Sequence, residues 1–164
     1  MTERIRCSQL RERLILHHLQ KTPMVTKTIL YQAKAFLCWD TFPDLSIQLV
    51  EFKEATSYFY PPSQRSSIVV YYQEGKADFS VPLFLLFHEA GHCLQFEDRR
   101  KANEETTFWE NAHVPTGSGR AHFEEEGWNR GKVLFKKFIA RTNLNERLLD
   151  AYEKYAKKSM ESYL

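Results

Sequence analysis

The chain has 164 residues, 43% of them hydrophobic, with 12 Phe, 8 Tyr and 3 Trp and a formal net charge of +2. That length suits one domain, and the apolar content suffices for a packed core. Such a composition excludes an intrinsically disordered chain, and the scattered Lys and Arg lack the basic stripe of a nucleic-acid binder.

Three cysteines, Cys7, Cys38 and Cys93, stand at long spacings with no CxxC pair. That pattern excludes a zinc knuckle and gives no disulfide framework, as expected of a reducing compartment. Residues 1–13 carry no apolar signal-peptide core, and no stretch approaches the ~18 apolar residues of a membrane span. The expected location is cytoplasmic, with neither a membrane nor a nucleic acid as partner.

Taken in chain order, the pattern predicts a helix over 3–20, with Ile5, Leu10, Leu14, Ile15 and Leu19 near helical spacing and the pair His17-His18 near its end. Thr22-Pro23 breaks it, and a second helix covers 25–38. Thr41-Phe42-Pro43-Asp44 is a turn cluster. Residues 46–52 partly alternate and predict a strand. Residues 58–63, with Pro61-Pro62, read as a loop. Residues 67–72 are β-branched and aromatic and predict a second strand, closed by a turn at 73–76.

Ser80 is the expected cap of a helix running to about Glu97, with Pro82 in its first turn. Arg99-Arg100-Lys101 sits among acids and reads as a solvated turn. Residues 98–120 are polar, with Pro115 and Thr116-Gly117-Ser118-Gly119, and predict a long irregular loop that walls or covers a site. Two further helices are expected, over 121–140 and 144–162.

The chemistry concentrates in His88-Glu89-Ala90-Gly91-His92. Histidines four residues apart lie one above the other on a helix, where both rings can reach one ion at zinc distances. Glu89 follows the first of them, placed beside the ion and able to take a proton from water: the HExxH pattern. Buried imidazoles and a buried acid are costly unless bound to something, and residues 81–87 place this motif on a buried helix.

A catalytic zinc needs a third protein ligand. Asp98, six residues after His92, is a weak choice because Gln95 stands where a turn-making Gly would be needed. The acidic trio Glu124-Glu125-Glu126 is stronger. Positions 124, 127, 131, 134 and 138 share a helical face reading Glu, Gly, Gly, Leu, Phe. Two glycines on an inward face allow close packing against a second helix, which would carry Glu124 to the metal. Glu125 is the second choice, and dipole complementarity at a helix N-terminus is the bland account of the trio. His113 and His122 flank the loop as substitute ligands, oxyanion stabilisers or plain polar residues. Tyr71 and Tyr72 read as core and rim.

These pieces resemble the gluzincin metallopeptidases, and most of all compact bacterial and phage HExxH proteins related to the ImmA/IrrE group. The similarity runs over residues 46–136. It rests on the strand 47–52, an edge strand 67–72, the HExxH segment, and Glu124-Glu125-Glu126-Gly127-Trp128. The resemblance implies Glu124 as third ligand, in an E-x-x-small pattern with Gly127. It departs at Trp128, where such proteins often carry an Asp or Asn that orients a ligand histidine.

The expected fold is therefore one α+β, zincin-like domain over 1–164, in which a small, twisted, mostly antiparallel sheet packs against helices. Its parts are N-terminal helices (1–40), sheet and metal helix (41–97), loop (98–120), and third-ligand and C-terminal helices (121–164). The implied function is a zinc-dependent peptidase. One Zn2+ is held by His88, His92 and Glu124, Glu89 is the general base, and a peptide substrate adds along 67–72. The alternatives are a non-catalytic, zinc-stabilised interaction or regulatory protein, against which Glu89 argues, and a metal-free helical scaffold.

Overall fold

The computed structural model describes residues 23–60, 66–114 and 116–163. The helix expected over 3–20, with Cys7 and His17-His18, and residues 61–63 of the expected loop lie outside them. The described residues form an α+β fold. Helix α1 (Lys27–Ala35) continues into a π-helical segment, Phe36–Thr41. Strands β1 (Ser46–Phe52), β2 (Thr56–Tyr60) and β3 (Ser67–Gln73) follow. Helices α2 (Ser80–Lys101), α3 (Glu105–His113), α4 (Ser118–Thr142) and α5 (Arg147–Met160) complete the chain. Among the described residues no helix is long and apolar enough to cross a membrane.

The sheet departs from expectation in two ways. Its order is β1-β3-β2, with β1 parallel and β2 antiparallel to β3, so it is mixed rather than mostly antiparallel. Strand β3, expected at an edge, is central. Both of its sides are already paired, and no peptide can add alongside 67–72. The cause is residues 56–60, of which 58–60 read as part of a loop with the following prolines. Thr-Ser-Tyr-Phe-Tyr has the β-branched and aromatic content of a strand, and it pairs with β3 from Thr56↔Tyr71 to Tyr60↔Ser67. β2 is an edge.

Register sorts the sheet's two faces. Ile47, Ile68 and Phe59 stand in one row, and Leu49, Val70 and Ser57 in the next, facing the helices. Tyr58, Val69 and Tyr71 face away from them, Tyr58 and Tyr71 in edge-on contact. Helix α2 lies between this inner face and α4, buried almost all round through its middle. Phe84 and Phe87 pack on Phe135 and, with Phe138 and Tyr152, make the central aromatic core.

The N-terminus of α2 is not capped by Ser80. The N-cap is Phe79, which makes no side-chain capping bond, and one residue earlier Asp78 Oδ1 accepts from Ser80 N at 3.0 Å, Ser80 Oγ at 2.6 Å and Val25 N at 3.1 Å. Helix α2 also runs one turn beyond Glu97, and ion pairs Arg99–Glu104 and Arg100–Glu97 hold that solvated end. The expected irregular stretch 98–120 instead contains α3, whose Phe108 packs on Phe96 and Phe123 in a second apolar cluster. A hydrophobic anchor between two polar runs was enough to build a helix where composition suggested none.

Helices α2 and α4 cross at three glycines. A Cβ on Gly91 would lie 2.0 Å from the Gly127 carbonyl oxygen, and one on Gly131 would lie 2.3 Å from the Phe87 carbonyl oxygen. Backbone meets backbone there, so no rotamer change can relieve an added methyl. Gly91→Ala and Gly131→Ala are therefore expected to cost about 1–3 kcal/mol or more, as overpacking does. Gly119, in the first turn of α4, has open space at its Cβ. Gly119→Ala is expected to be neutral or stabilising by up to about 1 kcal/mol. Urea denaturation followed by circular dichroism checks both signs.

Candidate metal centre

The three donors chosen from helical spacing meet in the structure. His88 and His92 project from adjacent turns of α2, and Glu124 from the second turn of α4. They are 6%, 5% and 2% exposed. His88 Nε2 lies 3.1 Å and His92 Nε2 3.6 Å from Glu124 Oε2, and the two Nε2 atoms are 3.2 Å apart. Ligands at zinc bond lengths on a tetrahedron stand about 3.3–3.6 Å from one another. The donor triangle thus has the size of one face of a metal's coordination shell, and these residues can hold a metal ion.

The stripe of positions 124, 127, 131, 134 and 138 is buried throughout. Gly127 brings α4 against His92: a Cβ there would fall 2.5 Å from the ring's Cε1. Glu124, one turn earlier, is thereby carried over both imidazoles. Glu125 is exposed and faces other surfaces. Asp98 is bonded to Arg130 at 2.5 Å, away from the histidines.

Each histidine is oriented differently. His92 Nδ1 lies 2.8 Å from Gln95 Oε1. The Gln95 amide nitrogen donates to Glu126 Oε2 at 2.9 Å and the Phe123 carbonyl at 3.4 Å, so its oxygen is the end that faces the ring. His92 therefore donates from Nδ1 and turns Nε2 toward Glu124 and His88. Glu126 is in turn held by Arg130 at 2.7 and 2.9 Å. His88 has no such partner. Its Nδ1 is buried without a hydrogen bond among the described residues, and its ring stacks on Trp128 with centroids 4.0 Å apart. Trp128 holds by stacking what an Asp or Asn would hold by hydrogen bonding.

Burial and the neighbouring His92 push His88 below the ordinary imidazole value, against the pull of Glu124. His92 is as buried, yet Glu124, Glu89 and Gln95 together raise it above that value. Burial acts to raise the Glu124 carboxyl, but its hydrogen bonds with the two histidines outweigh this and hold it well below the ordinary carboxylate range. These directions favour an anionic Glu124 and, of the two imidazoles, a proton on His92 rather than His88.

Glu89, 7% exposed, accepts from Ser57 Oγ at 2.7 Å on the inner face of β2. It borders a cleft of about 600 Å³ whose walls are β2, α2, α3, the start of α4 and the C-terminal segment with Tyr155 and Tyr163. His113 lines this cleft, with its Nδ1 on the Trp109 carbonyl at 2.7 Å. His122 faces the opposite side of α4. Tyr72 is core and Tyr71 is half-buried on the outer face of the sheet. Sequence reasoning missed Ser57, Gln95 and Arg120. Gln95 at i+3 from His92, and Arg120 at i−4 from Glu124, were within reach of helical spacing. Ser57 was not, because no strand was expected over 56–60.

No protein-family model, curated protein or solved structure matches the chain.

Metal uptake is expected at one equivalent per chain, measured by elemental analysis of untagged protein. His88→Ala, His92→Ala and Glu124→Ala are expected to abolish it, and Glu125→Ala to leave it intact. Ligation displaces the proton held near His92, so apparent affinity is expected to fall as pH is lowered from about 8 to about 6. Competition with a chelator at each pH reads that slope.

Proposed function

We propose that the protein is a zinc-dependent hydrolase, most simply a peptidase of the gluzincin kind. The observation that carries the reading is Glu89: a buried carboxylate next to a donor histidine, facing a cleft, and held by the hydroxyl of an edge strand. A purely structural metal site has no use for an acid in that place. Two imidazoles and one carboxylate suit zinc best among common divalent ions, and three protein donors leave a place open.

Bound there, zinc supplies a Lewis acid that polarises a carbonyl and acidifies water. The chain's own residues do the rest. Glu89 takes the proton of the attacking water and returns it to the leaving amine. Ser57 holds its Oε1 and fixes the plane of the carboxylate. The apolar walls from Phe108, Trp109 and Phe123 limit water in the cleft. β2 runs along the cleft and its outer edge is unpaired among the described residues. An extended peptide adds as a strand beside β2, in the role first expected of 67–72. With Nδ1 donating to the Trp109 carbonyl, the neutral His113 ring has Nε2 as an acceptor for a substrate N–H or O–H.

Glu89→Gln separates binding from chemistry. The variant is expected to retain its metal while hydrolysis of a mixed peptide library falls by about 10²-fold or more, the scale of a lost general base. Mass spectrometry of the digest is the measurement. Wild-type protein that carries zinc yet cleaves nothing in the library would sink the enzyme reading.

A further inference from the structure

The two oxygens of Glu124 have different surroundings. Oε2 faces His88 and His92, while Oε1 lies 2.5 Å from Arg120 Nη2. Arg120 stands one turn before Glu124 on α4, so helical spacing stacks the pair. An ordinary i,i+4 pair would be solvated and loose. This one is fixed from several sides. Arg120 Nη1 donates to the Ala112 carbonyl near the end of α3. The rings of Phe123 and Tyr163 lie 5.4 and 5.5 Å from its guanidinium carbon. Tyr163 is anchored in turn, its carbonyl accepting from Gly117 N at 3.1 Å. Only 20% of the Arg120 side chain is exposed.

A carboxylate can give a divalent ion one oxygen or both. Giving both would fill the place that a catalytic site must leave to solvent or substrate. A guanidinium is planar, permanently charged and weakly hydrated, and can hold one carboxylate oxygen in a covered site. We propose that Arg120 is a positioning residue that keeps Glu124 monodentate, so that a metal on His88, His92 and Glu124 retains an open coordination place. Three elements, α3, α4 and the C-terminal segment, converge on Arg120 and serve that single contact. The proposal rests on the metal reading of those three donors.

Cobalt(II) alone tests it, because its visible absorption reports coordination number without any substrate. Co2+ is titrated into wild type, Arg120→Lys and Arg120→Gln, with chelator competition for affinity and circular dichroism for folding. Wild type is expected to give the intense bands of four-coordinate cobalt, and Arg120→Lys to keep them. Folded Arg120→Gln is expected to show the weaker bands of higher coordination, with affinity lowered about 10–100-fold, the range for a lost supporting contact. A folded Arg120→Gln with the wild-type spectrum and affinity overturns the proposal. A wild-type spectrum of five- or six-coordinate type also overturns it, whether or not the variants fold. Wild type that takes up no cobalt overturns the metal reading itself, so the two failures are distinct.

Discussion

The site depends on how closely two helix backbones can approach. Gly91 on α2 faces Gly127 and Gly131 on α4, and at these positions the space for a Cβ is already taken by the other helix or its side chains. That contact fixes both the separation and the register of the helices. Once Gly127 lies on the His92 ring, Glu124 has only one place to go, one turn back and above the two imidazoles. The donors converge because backbone does, and their own mutual attraction is secondary. This order matters energetically. Three buried polar side chains do not draw helices together, since removing them from water costs more than their pairing returns. The apolar packing of Phe84, Phe87, Phe135 and Phe138 supplies the driving force, and the glycines convert it into a fixed geometry.

Without an ion, charge within the buried site is balanced by Arg120 and by protonation. Glu124 and Glu89 bring two carboxylates. Arg120 offsets one, and a proton near His92 works toward offsetting the other. A divalent cation held by His88, His92 and Glu124 would take the place of that proton. The Gln95–Glu126–Arg130–Asp98 chain extends this arrangement outward to solvent, where its last members are half-exposed.

What was legible in the sequence follows from distance along the chain. His88, Glu89, His92 and the glycine stripe under Glu124 are local patterns with a 3.6-residue period, and periodicity alone separated Glu124 from Glu125. Helix α3 was not legible, because one buried Phe108 in a polar stretch makes no periodic signal. β2 was hidden by the prolines that follow it, and with it went the sheet order, the identity of the edge strand and the role of Ser57. Sheet pairing is a contact between distant residues, and nothing in residues 67–72 says whether one side or both will be occupied. The cap expected at Ser80 lies instead at Phe79, and the Ser80 hydroxyl is taken up by Asp78, which also accepts from Val25 N.

The two donor histidines are held by opposite means, and this gives the site a direction. His92 is tied through Gln95 to a charged network, which fixes its tautomer and strengthens Nε2 as a donor. His88 has an indole face against it and, among the described residues, no acceptor for Nδ1, so it is placed by shape and is the weaker base. Trp128 itself is braced by edge-on contacts with Tyr152 and Tyr155, and its carbonyl accepts from Tyr152 Oη at 3.0 Å. Helix α5 thus reaches the candidate site through one ring. The side of the site on which no carboxylate orients the imidazole, among the described residues, is the side on which packing, and not charge, holds the ring still.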